Sequence, residues 1–147
     1  MKTQGFLVTR GTYGPALNVL GTTVTVLASN LQTQGYEITL QQGDEGTGPP
    51  LHSHDWDESF FVLKGTVEFS FDGKTLLCAA GTLVHLPANT EHGFRYGAGG
   101  GEALEFSGPG GHATRMFSAI SKAVPPGPPD IPLVLNILSA NGVTVVA

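Results

Sequence analysis

The sequence predicts an all-β protein, a sandwich or barrel of many short strands. Three features of the chain point there. β-Branched and aromatic residues come in short runs between turn residues, and glycine alone fills 21 of 147 positions. Inside the runs the hydrophobic period is two: Val67, Phe69 and Phe71 alternate with Glu68 and Ser70, as in a strand with one buried face. The turns are chemically explicit, as at Asp72-Gly73, a dipeptide suited to a tight hairpin.

Strands are predicted near 6–9, 15–20, 22–29 and 35–42, and then near 58–64, 66–72, 74–79, 82–87, 91–96 and 102–107. Gly97-Ala98-Gly99-Gly100-Gly101 reads as a flexible hairpin loop between the last two. After Gly111 the pattern changes. Ala113 to Lys122 suits a short helix with Met116, Phe117 and Ile120 on one side. Val124-Pro125-Pro126-Gly127-Pro128-Pro129 reads as an extended linker, because proline blocks both helix and central strand. Asp130 then suits an N-cap with Pro132 in the first turn. Leu133, Val134, Ile137 and Leu138 form a helical stripe, and Asn141-Gly142 ends it. Val143 to Val146 can add a final strand. The chain divides into a β-barrel over 1–112 and a helical extension over 113–147. The extension is expected to pack on the barrel or on a second subunit, within the same domain. No internal repeat is evident.

Seven basic against 12 acidic residues leave a net charge of −5. A nucleic-acid partner needs a basic patch and an anionic membrane surface needs clustered Lys and Arg, so both are excluded. No apolar run approaches the about 20 residues of a spanning helix. The first residues, Met1 to Gly5, lack the apolar core of a secretory signal, and the single cysteine, Cys78, allows no internal disulfide. A cytoplasmic location is the expectation.

The chemistry concentrates between Gly46 and Glu58. His52 and His54 are two apart, so an extended chain presents both on one face. Glu58 follows at the head of an apolar run, and His92 lies in a later segment. Imidazole and carboxylate are the usual nitrogen and oxygen ligands of first-row metals, so the four can converge on one ion if the chain folds back. Strand alternation adds that Phe60 and Val62 share the direction of Glu58, and Phe94 and Tyr96 that of His92. The four make an apolar, partly aromatic pocket beside the ion, suited to a small organic molecule.

These residues resemble the cupin superfamily. Gly46, five residues, His52-Ser53-His54, three residues, Glu58, six residues and Gly65 match its first motif without a departure. Gly81, five residues, Pro87, and His92 five positions later match the second. Asn89 stands where the family usually has Gly, and Tyr96 where it often has Asn. Asn accepts left-handed backbone better than most residues, so the turn should survive. The tail from Gly108 onward is similar to that of small quercetinase-like bacterial cupins.

The resemblance implies a double-stranded β-helix, the jelly-roll barrel, with a metal in its mouth and usually a homodimer. It implies His52, His54, Glu58 and His92 as ligands of one divalent ion, whether Fe, Mn, Ni, Zn or Cu. Glu58 is the candidate catalytic group, able to serve as ligand and as base; Phe60, Val62, Phe94 and Tyr96 are the candidate substrate contacts. The activity it implies first is a quercetinase-like dioxygenase that takes a small aromatic or enolic substrate and O2. The alternatives are a metal-dependent isomerase, cyclase or lyase, a small-molecule-binding module without catalysis, and a barrel that keeps the fold without an ion. His85 and His112 read as ordinary strand and loop histidines, Asp55 and Asp57 as rim charges, and Trp56 as a cover for the rim. Asp57 can instead support a ligand, Cys78 reads as a small core residue, and Tyr96 as either a core ring or a hydroxyl donor to the pocket.

Overall fold

A computed structural model describes residues 3–146. The chain begins with an extended arm and a 3-10 turn at Arg10–Thr12. The alternation over 6–9 predicts a strand there, but no strand pairs with this arm, and Phe6 and Leu7 are exposed. Next comes an antiparallel meander: β1 (Leu17–Val19), β2 (Thr22–Ala28) and β3 (Glu37–Gly43). Leu20 and Gly21, both at positive φ, make the first turn. One helical turn unforeseen in the pattern, α1 (Asn30–Thr33), links β2 to β3, with Ser29 and Gln32 closing a capping box at its start.

The spine of the molecule is a pair of long antiparallel strands, β5 (Glu58–Phe71) and β8 (His92–Ser107). β6 (Lys74–Ala79) pairs with the second half of β5 and β7 (Leu83–Leu86) with its first four residues. β3 flanks the second half of β8. At the first residue of β8, the short β4 (His52–Ser53) pairs His52 with His92, and β9 (Thr144–Val145) pairs with β4 in turn. The nine strands of the described residues curl into a half-barrel of jelly-roll type.

Two expectations give way here. The segments 58–64 and 66–72 are one strand, bent at Gly65, where φ is +66 and an added Cβ would run into the Gly100 carbonyl. Gly97–Gly101 is no hairpin loop. β8 runs straight through it, and its register with β5 shifts between the Gly65–Gly101 and Val67–Tyr96 pairs. Both halves of β8 lie antiparallel to the same partner, so the chain cannot reverse there. The glycines instead absorb extra residues as a bulge, with Gly99 and Gly100 at φ +79 and +81.

Alternation on these strands builds the core. Phe60, Val62, Val67, Phe69, Val84, Leu86, Phe94 and Tyr96 form one buried cluster inside the barrel, with Cys78 as a small apolar member. The second cluster lies over the barrel mouth. There α2 (Ala113–Ala123) and α3 (Ile131–Ala140) lay Met116, Phe117, Ile120 and Val134 against Val24, Trp56 and Val143. Asp130 caps α3 by accepting from Leu133 N at 3.2 Å, and Asn141 Oδ1 accepts from Arg115 Nε at 2.8 Å to tie the helices together. No helix of the described residues is long and apolar enough to cross a membrane.

The loop that leads into β4 needs its glycines to different degrees. Gly46 has φ +82 and open space around it, whereas Gly48 has φ +149 and an added Cβ would collide with the Phe94 carbonyl. Gly46→Ala should therefore cost about 1 kcal/mol. Gly48→Ala should cost more than about 2 kcal/mol, because backbone must also move. Urea denaturation of both variants checks the order, and equal costs would refute it.

Candidate metal centre

The register between β4 and β8 sets His52 directly opposite His92, and the bend after β4 returns His54 and Glu58 to the same point. The imidazole centroids lie 4.3 Å apart for His52 and His92, 5.0 Å for His54 and His92, and 5.8 Å for His52 and His54. One nitrogen from each ring lies within 4.8 Å of the other two. Glu58 Oε2 sits 3.0 Å from His54 Nε2 and 2.8 Å from His92 Nε2.

The ring orientations are fixed by backbone. His52 Nδ1 donates to the Pro50 carbonyl at 2.8 Å, His54 Nδ1 to Trp56 at 3.0 Å, and His92 Nδ1 to Thr90 at 2.8 Å. A carbonyl only accepts, so each Nδ1 bears the proton and each Nε2 is turned toward the common centre. Ligating histidines commonly show this arrangement. His92 Nε2 is buried and has no aligned hydrogen-bond partner despite its contact with Glu58. A cation at the centre answers that deficit, and three imidazoles with one carboxylate suit a first-row divalent ion. The residues fit the group that the spacing predicts.

The electrostatics fit as well. Burial would raise the Glu58 carboxyl, but contacts from His54, His92 and Glu105 overcome it and hold the group ionised, well below the usual range. Burial, with His92 beside it, pushes His52 down to about 4. Burial also acts to lower His92, yet the adjoining Glu58 carboxylate outweighs it and raises that imidazole.

Two participants escape a reading of the sequence. Glu105, from the second half of β8, is buried against Glu58. It accepts from Gln41 Nε2 at 2.8 Å and from Thr39 Oγ1 at 3.4 Å. Burial and the Glu58 charge raise its carboxyl well above the usual range. Trp56 does not cover the rim: it is 2% exposed and stacks on His54, with ring centroids 4.0 Å apart and planes within 8°. Its other neighbour is His112, edge-on at 5.9 Å. His85 pairs with Ser59 Oγ at 2.8 Å on the outer face of the sheet, and Asp57 accepts from Ala88 N at 2.9 Å at the rim.

A cavity of about 100 Å³ opens onto the histidines. Phe60 and Phe94 line it, whereas Val62 and Tyr96 lie deeper in the barrel core. The Tyr96 hydroxyl is buried without a partner, and burial, with Glu105 and Glu102 nearby, makes it a weaker acid than a free phenol, its pKa well above the usual value. The far wall comes from α2 and the segment before β9. Asn89, at φ +68, keeps the left-handed turn before β8 without glycine.

Residues 33–106 match the profile of the Cupin domain family. Quercetin 2,3-dioxygenase of Bacillus subtilis (strain 168) is 38% identical over 73 residues, which cover 48% of this chain but only 22% of that protein. Among solved structures, an RmlC-like cupin from Shewanella frigidimarina NCIMB 400 superposes with a TM-score of 0.65 at 18% identity, covering 74% of this chain and 95% of the other. KdgF from a Halomonas species gives 0.64 at 19%, covering 73% and 94%. The polyketide cyclase RemF from Streptomyces resistomycificus gives 0.62 at 20%, covering 71% and 80%. At these identities the structures share the fold.

Trp56 is the single tryptophan of the chain and stacks on a candidate ligand, so it reports on the centre. Added Co2+, Ni2+ or Cu2+ should quench its fluorescence and saturate at one ion per chain. His54→Ala should abolish both the quenching and the metal found by elemental analysis of protein purified without added ions. Unchanged metal content in the variant would sink the assignment.

Proposed function

The chain belongs to the cupin family, and from that premise we propose that it is a mononuclear metal-dependent dioxygenase acting on a small enolic or aromatic molecule. The observation that carries the reading is the convergence of His52, His54 and His92, with Glu58 Oε2 against the last two, beside an apolar cavity that His52, His54 and Glu58 line. The family match over residues 33–106 includes all four residues, and the sequence likeness to quercetin 2,3-dioxygenase supports O2 as the second substrate.

The four side chains would hold one divalent ion, Fe, Mn, Ni, Zn or Cu, which would supply Lewis acidity toward a substrate hydroxyl or enol oxygen. Glu58 Oε2 faces the centre beside His54 and His92, so it is placed to take the proton that such an oxygen or its neighbouring carbon gives up. Phe60 and Phe94 hold the apolar body of the substrate, and Val62 and Tyr96 brace them from below. The buried walls exclude water while an electron-rich carbanion or enolate is exposed to O2. A second reading, isomerisation or cyclisation through the same enolate, draws on the Glu58–Glu105 contact, which can move a proton without O2.

The protein is loaded in turn with Fe2+, Mn2+ and Ni2+, and O2 uptake is followed with hydroxypyranones, β-diketones and flavonols. At least one pair should consume O2, and Glu58→Gln should lower the rate by about 10²–10⁴-fold. No uptake with any pair overturns the dioxygenase reading, and turnover of the same compounds without O2 installs the second one.

A homodimer is proposed on the outer sheet face. Phe61 and Leu83 are exposed there on neighbouring strands, an apolar surface that a second copy can cover. Light scattering should give twice the chain mass, and Leu83→Lys should halve it; a monomeric wild type contradicts the proposal.

A further inference from the structure

We propose that the C-terminal helices set the substrate class: the cavity takes an uncharged, mainly apolar molecule of about one six-membered ring, and Met116 and Phe117 are the residues that enforce this limit. The proposal rests on the metal-dependent reading above and narrows it.

The cavity lies between the histidines and the inner face of α2. Phe60 and Phe94 form its floor, and Met116, Phe117, Ile120 and Val143 form its roof. Its volume is about 100 Å³. An apolar cavity of about 150 Å³ holds one benzene molecule in another protein. At about two-thirds of that volume the cavity takes one ring at most, with its oxygens at the open end among the histidines, and a three-ring skeleton has no room while the helices stay seated.

The helices are firmly seated. Met116, Phe117 and Ile120 are buried, and hydrogen bonds anchor both flanks of α2. Thr114 N donates to Glu37 Oε1 at 3.1 Å, and Asn18 N donates to Ser121 Oγ at 3.1 Å. Arg115 Nε reaches Asn141 beyond α3 at 2.8 Å. Lifting the roof means exposing that apolar face and breaking these bonds together.

The lining also sorts by charge and polarity. It contains no Lys or Arg, and its carboxyl groups are Glu58 and Glu105. A carboxylate or phosphate remote from the metal-binding oxygen would be buried with no cation to pair with it. A polyhydroxylated ring would leave most of its hydroxyls against Val24, Phe94, Met116 and Phe117, unsatisfied.

The test uses the full chain loaded with Co2+, whose visible absorption reports any molecule that enters the coordination sphere. Maltol has one ring and 3-hydroxyflavone three, and both present the same hydroxy-ketone pair. Wild type should bind maltol at least about tenfold more tightly than 3-hydroxyflavone. Met116→Ala and Phe117→Leu should each close that gap by improving 3-hydroxyflavone binding relative to maltol, and each should lower the melting temperature because a buried side chain is shortened. Equal affinity of wild type for the two probes overturns the proposal, as does a pair of variants that change neither ratio. Failure to take up Co2+ at all removes the metal reading itself, and this proposal with it; Co2+ uptake without maltol binding removes this proposal alone.

Discussion

Three hydrogen bonds from imidazole Nδ1 to a backbone carbonyl two residues away hold the centre together. Each acceptor belongs to the same short segment as its histidine: Pro50 for His52, Trp56 for His54 and Thr90 for His92. The aim of each Nε2 is thus a property of local backbone shape. That shape depends in turn on residues that tolerate unusual φ, Gly46 and Gly48 ahead of β4 and Asn89 ahead of β8. The cross-strand pair of His52 with His92 then brings the two segments together. Any change that shifts this backbone moves the candidate ligands, even if every histidine is retained.

The charge arrangement has the same origin. Glu58 and Glu105 are both buried, and two ionised carboxylates in contact would be very costly in an apolar cavity. The pair resolves this by dividing its roles: Glu58 stays ionised beside the imidazoles, and Glu105 is driven toward the neutral form and held by Gln41 and Thr39. A buried cluster of this kind stabilises the fold poorly by itself, and a cation at its centre would offset the cost of burying it.

Trp56 links the centre to the roof above it. Its carbonyl and its ring both contact His54, while its outer edge belongs to the apolar cluster of α2 and α3. The same packing that closes the barrel mouth therefore presses on a candidate ligand. The helices form a wall of the site as well as a cover for the barrel.

The sequence by itself determined what is local. Period-two alternation located most strands, proline and Asp130 marked the linker and the start of α3, and the His-x-His spacing with Glu58 and His92 named residues that the structure brings together. These signals survive because strand pleat, caps and carbonyl-anchored rings depend on neighbours a few residues away. Only the tertiary structure decided the rest. His92, Phe94 and Tyr96 point inward, and a constant phase carried forward would bury Leu104 and Phe106. The glycine bulge at 97–101 changes the parity, so Ala103, Glu105 and Ser107 face inward instead, and Glu105 reaches Glu58. The pairing of β9 with β4, which carries the candidate ligand His52, and the seating of α2 over the cavity join parts of the chain far apart in sequence. Their geometry is set by which surfaces bury each other, and no local pattern of residues records that choice.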